Sequence, residues 1–118
     1  MLGLSPATRI FVAIEPVDMR KSFNGLSAHV QSVLQQDPRS GHIFVYTNRL
    51  RNRIKLVYWD GSGLWVSAKR LEHGRFGWPS GAGASYCLRP EELTLLLHGI
   101  EGRSRPHWYR CTRARGSA

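Results

Sequence analysis

Ile54-Lys55-Leu56-Val57-Tyr58-Trp59-Asp60-Gly61-Ser62-Gly63-Leu64-Trp65 is the stretch whose reading decides the fold. β-Branched and aromatic residues run up to an Asp/Gly/Ser cluster and resume after it, the pattern of two strands joined by a tight turn. If Gly61-Ser62 is a two-residue turn, Val57, Trp59, Leu64 and Val66 share one face of the hairpin. Ile54, Leu56, Tyr58 and Trp65 then share the other. A one-residue change in turn length would exchange the faces on one strand, so sequence alone leaves the register open.

Basic residues crowd both flanks: Arg49, Arg51 and Arg53 before the hairpin, Lys69, Arg70 and Arg75 after it. Lys55 stands inside it. A flat surface of that composition suits an acidic polymer better than a small substrate. The whole chain of 118 residues carries 17 basic against 8 acidic groups, a net charge of +9. Such a balance in a small domain points to nucleic acid, an acidic protein or an anionic surface. Fourteen of the cations are Arg, which grips phosphate and carboxylate bidentately and stacks on flat rings. The competing reading is a solvated basic face over a core that takes up the aromatics. For Tyr58 and Trp65 core placement is the expectation, because a small domain needs large side chains inside. Trp78, beside Pro79 in a Gly-rich stretch, is the expected exposed aromatic.

Outward from the hairpin, residues 9–14 and 42–46 read as strands, 53–59 and 64–69 as the two hairpin strands, and 85–88 as a short edge strand. Between the first two, Phe23, Leu26, Val30, Val33 and Leu34 recur at helical spacing. Asp18 or Ser22 is expected to cap that helix, and Pro38 and Gly41 to close it. Residues 74–84 contain Pro79 and four glycines and read as a loop. Pro90, Glu91 and Glu92 open a second helix, Leu93, Leu96, Leu97 and Ile100 supply its apolar stripe, and Gly99 fits its stop. The expectation is one α+β domain over residues 1–102, with two helices and a mainly antiparallel sheet of four to five strands. From Arg103 the chain holds five Arg and no acid, and residues 103–118 read as a flexible basic tail.

Several chemistries find little support. No run of about 20 apolar residues offers a membrane span, and no secretory signal is visible, so a cytoplasmic protein is expected. Cys87 and Cys111 are too far apart for a zinc-ribbon pair, and the five His show no paired metal spacing. A metal site built from Asp18, Asp60 and Glu72 is conceivable, but cap and turn roles account for the acids as well. The expectation is a non-enzyme without cofactor, metal or small-molecule substrate.

Three segments carry a family resemblance. Val17-Asp18-Met19-Arg20-Lys21-Ser22-Phe23-Asn24-Gly25-Leu26 is the first, and Asp37-Pro38-Arg39-Ser40-Gly41-His42-Ile43-Phe44-Val45 the second. The third is Arg53-Ile54-Lys55-Leu56-Val57-Tyr58-Trp59-Asp60-Gly61, followed by Lys69-Arg70-Leu71-Glu72-His73-Gly74-Arg75-Phe76-Gly77-Trp78-Pro79. In this order they resemble the TnpB-type accessory protein of the IS sixty-six family of bacterial insertion sequences. The chain departs from that pattern at Ser22, where Gly is usual, at Asn24, where Asp is usual, and at Arg51-Asn52, where Gly-Asp is usual. The resemblance implies a small protein that assists transposition, with the transposase of the same element as partner and no transferable catalytic residue. Candidate contacts for DNA or that partner are Arg49, Arg51, Arg53, Lys55, Lys69, Arg70, Arg75 and Trp78. Asp18, Arg20 and Lys21 form a second candidate docking segment, since their charges sit at a helix start without any core demand. A protein-interaction module that never touches DNA is the alternative.

Overall fold

A computed structural model describes residues 7–99. Strand β1 (Ile10–Ala13) leads into helix α1 (Phe23–Ser32), followed by β2 (Ile43–Thr47), β3 (Arg53–Trp59), β4 (Leu64–Arg70), β5 (Ser85–Leu88) and helix α2 (Pro90–His98). The five strands form one sheet in the order β4-β3-β2-β1-β5. Three of its pairings are antiparallel, as expected, but β1 and β2 run parallel. The sheet is therefore mixed. The cause is α1: a connection long enough to hold a helix carries the chain back to the end where β1 began, so the next strand enters in the same direction.

The two helices cover opposite faces. Leu26, Val30 and Leu34 of the α1 segment pack on Phe44, Tyr46 and Val57. Leu93 and Leu96 of α2 pack on Ile10, Val12, Val45 and Leu56. Strand β2 is buried along its whole length, which is why it reads as an unbroken apolar run rather than an alternating one. The α1 stripe is narrower than its sequence pattern: Phe23 and Val33 are exposed, because only the row at four-residue spacing meets the sheet. The helix also stops before Pro38. Gln35 turns left-handed (φ 55°), and the Gln36 amide donates to the Val30 carbonyl. Ser22 holds the N-cap position without a side-chain cap bond. Asp18 does not cap the helix either; its carboxylate accepts from the Arg20 amide one turn earlier.

The hairpin resolves in the two-residue form. Val57 pairs with Val66, Tyr58 with Trp65 and Trp59 with Leu64, and the Asp60 amide donates to the Gly63 carbonyl. The Asp60 carboxylate accepts from the Ser62 and Gly63 amides and from the Trp65 indole, and these bonds hold it far below the usual carboxylate range. The expected placement of two tryptophans is reversed. Trp78 is 7% exposed and its indole donates to the Ala13 carbonyl at 2.8 Å. The Gly-rich loop folds back over the α2 face, where Phe76 and Trp78 fill space that the short strands leave. Trp65 is 51% exposed, because it stands on an edge strand and stacks on Tyr58 from one side only.

Arg51, at the position where the resembled family usually has Gly, adopts φ 59°. That left-handed conformation costs a residue with a Cβ about 1–2 kcal/mol. No described helix is long and apolar enough to cross a membrane. The basic tail expected over residues 103–118, and Ile100 of the second apolar stripe, lie outside the described residues.

Two outcomes follow from this packing. Trp78→Phe strands the Ala13 carbonyl and should cost about 1–3 kcal/mol in urea unfolding, whereas Trp65→Phe should cost less than about 1 kcal/mol. Equal costs would contradict the assigned burial. Burial lowers the affinity of His29 and His42 for protons, with Lys21 and Arg9 respectively adding to the effect. The His42 Nδ1 accepts the Arg9 amide, and His29 lies against the Tyr46 hydroxyl. The folded state binds fewer protons than the unfolded chain, so this stabilisation is complete above the ordinary His range near 6.5 and fades as pH falls through the lower folded values. Thermal midpoints measured from pH 7.5 to 5 should decline, and the decline should flatten in the His29→Gln/His42→Asn double variant.

Candidate functional site

The charged residues singled out in the sequence gather at one end of the sheet. Arg53 begins β3, Arg70 ends β4, and the two are cross-strand partners. Both lie on the α1 face, in phase with Lys55 and Ala68. An open groove of about 600 Å³ runs along this end, lined by Met19, Arg53, Lys55, Lys69, Arg70 and Glu72 among others. A second cleft of about 440 Å³ lies on the other side of Met19, between Val17-Asp18 and the β2–β3 loop residues Asn48, Arg49 and Leu50.

Members of the two candidate sets thus adjoin. Asp18 and Arg49 line one cleft, and Arg53, Lys55, Lys69 and Arg70 line the other. Lys55 ties the segment before α1 to the sheet. Its ammonium donates to the Met19 and Lys21 carbonyls, both at 2.8 Å. The ammonium that looked available for a ligand instead straps the segment before α1 to the sheet. Lys69 has a comparable duty, donating to the Leu97 carbonyl at 2.7 Å near the C-terminal end of α2, where a cation also meets the negative end of the helix dipole.

The arginines are freer. Arg70 meets Glu72 at 3.3 Å, a pair exposed on both sides. Among the described residues no carboxylate pairs with Arg49, Arg51, Arg53 or Arg75. Arg49, Arg53 and Arg75 are exposed, while Arg51 is partly covered. The Phe76 amide donates to the Arg51 carbonyl and the Leu71 amide to that of Asn52, which brings residues 71–76 back to this end of the sheet. Arg20 forms a bidentate pair with Asp18, the shorter contact being 2.7 Å, and this holds the Asp18 carboxyl down at about 2. Trp78 is withdrawn into the core and leaves the site.

Sequence reasoning missed three members. Asn48 organises the loop: its Oδ1 accepts the Asn52 and Arg53 amides, and its Nδ2 donates to Asn52. The four-residue spacing of two Asn between strands was the available signal. Leu50, 72% exposed, stands beside Met19 in the second cleft, and neither carried a polar signal. The remaining aromatics are elsewhere. Tyr58 and Trp65 stack at the turn end of the hairpin, and Arg39 lies over the Trp59 ring at 5.0 Å. The cations carried by β3 and β4 therefore sit at the end of the hairpin away from these rings, where Arg39 is the cation in contact. Among the described residues no three His, Cys, Asp or Glu side chains group as metal ligands.

Lys55→Met keeps the aliphatic stem and removes both strap bonds. It should cost about 1–3 kcal/mol, with faster amide exchange over residues 18–22 as the diagnostic change. Unaltered exchange there would show that the strap does not order the segment.

The family profile described as IS66 Orf2 like protein matches residues 8–106. Two proteins of Sinorhizobium fredii are also similar. The uncharacterized protein y4jC is 44% identical over 101 residues, covering 86% of each chain. The uncharacterized protein y4hO is 36% identical over 113 residues, covering 96% of this chain and 98% of that one. No solved structure matches the chain. A profile match across nearly all the described residues, the end of the sheet with its arginines included, establishes that the chain belongs to the IS66 Orf2-like family.

Proposed function

We propose that this protein is a non-catalytic accessory factor of insertion-sequence transposition, and that it grips nucleic-acid phosphate with the arginine-lined end of its sheet. Family membership supports the transposition role. One observation carries the contact: Arg53 and Arg70 face each other directly across β3 and β4. Like charges in that position repel by a few tenths to about 1 kcal/mol, and Glu72 offers only one exposed counter-charge. An anion seated in the groove relieves the repulsion. Arg49 lines the adjoining cleft on the other side of Met19. With the aromatics at the far end of the hairpin, the binding is to backbone rather than to bases, hence indifferent to sequence.

A binding role also fits the acids. Asp18, Asp60 and Glu72 are each engaged in a turn or an ion pair. The second reading is docking on the transposase through the same end, and the exposed Leu50 beside Met19 favours it, since an apolar anchor adds nothing to phosphate contact.

For direct DNA binding, log affinity should fall linearly with log salt. Arg49→Ala/Arg53→Ala/Arg70→Ala should weaken binding to unrelated duplexes alike and reduce the slope by roughly one per lost contact. Weak binding that ignores salt overturns the DNA reading. Co-elution with the transposase in the absence of element-end DNA, abolished by Leu50→Asp, would establish the second reading instead.

A further inference from the structure

Strand β4 is the outer strand of the sheet and matches β3 as its longest. The opposite edge, β5, has four residues and runs at once into Pro90. The phase of the β3–β4 ladder is set at both ends. The Asp60 amide donates to Gly63, and the Leu71 amide to Asn52. In an antiparallel pair hydrogen-bonded positions alternate, so Trp65, Ser67 and Lys69 bond to β3. Leu64, Val66, Ala68 and Arg70 therefore aim their N–H and C=O groups outward. Among the described residues no backbone hydrogen bond from another segment reaches those four. The ladder is continuous over all seven residues, with no bulge or proline to blunt the edge.

We infer that β4 pairs antiparallel with β4 of a second copy of this chain about a two-fold axis at Ser67, joining two sheets into one of ten strands. The register follows from the edge itself. Centred on Ser67, Leu64 meets Arg70 and Val66 meets Ala68 of the other copy, and every outward group finds a partner. Moving the centre by half a residue would set outward groups against inward-bonded ones, and moving it by one residue or more leaves outward groups unpaired. The same register sets Trp65 against Lys69 of the second copy, so no cation faces a cation directly. The exposed Trp65 ring gains the aliphatic stem of Lys69 as a neighbour. Such an interface is self-complementary, as two-fold symmetry requires. Both Arg53–Arg70 pairs then lie on one face of the joined sheet, with the two Arg70 positions about 20 Å apart along the strands.

The test uses the full chain. Sedimentation at tens of micromolar should give the mass of two chains. Ala68→Pro removes an outward N–H alone, a change an edge strand tolerates, and should give the mass of one chain with an unchanged circular dichroism spectrum. In a Cys87→Ser/Cys111→Ser background, Ser67→Cys should cross-link two chains when a mild chemical oxidant is added. Ser67 faces its own copy at a non-hydrogen-bonded position, with Cα atoms about 4.5 Å apart. Ala68→Cys, displaced along the strand from its own copy, should cross-link far less. A one-chain mass for the unaltered protein overturns the inference, as does a two-chain mass that survives Ala68→Pro in a folded variant. Equal cross-linking at positions 67 and 68 overturns the register and, with it, the paired edge.

Discussion

Strand β2 leaves no face to water, and the rest of the molecule is arranged around that constraint. Ile43 to Thr47 are buried on both sides, so a helix must cover each face of the sheet. The chain meets the demand with α1 on one side and α2 with the Gly-rich loop on the other. Because α1 lies between β1 and β2 in sequence, covering the first face also forces those strands parallel. The later strands turn back by short connections and run antiparallel. The mixed sheet thus follows from where in the chain the first helix falls.

The same layering sorts the charged residues. Lys55 sits near the middle of β3, where a free ammonium would be partly covered, and it is satisfied by two carbonyls of the segment that leads into α1. Arg53 and Arg70, two positions nearer the end of the ladder, reach past the cover of the helix into open groove. Position along the strand therefore separates a structural cation from available ones. The strap has a functional side as well, because it fixes Met19 as the wall between the two clefts.

Much of the fold was legible because it is local. The two hairpin strands were legible from alternation on either side of an Asp/Gly/Ser cluster, though not their register, and the stop of α2 followed from Gly99. The direction of β1 against β2 was missed, because strand patterning is the same for either orientation; the helix lying between them in sequence was the available signal. Trp78 was misplaced for a related reason: loop composition reports backbone freedom, not what the loop folds onto. Its indole is held by the Ala13 carbonyl, 65 residues away in the chain. Trp65 was misplaced because alternation shows which face a side chain takes but not whether that face is covered at the sheet edge.

By itself the sequence determined the approximate strands and helices, the basic balance and the family pattern, all of which rest on neighbouring residues or composition, while the hairpin register was decided by the structure. Only the tertiary structure decided which cations are available. Lys55 and Lys69 are bound by carbonyls as many as 36 and 28 residues distant, while Arg53 is left facing Arg70. A cation's availability depends on the acceptors that folding brings within hydrogen-bond reach, and no local pattern encodes those distances.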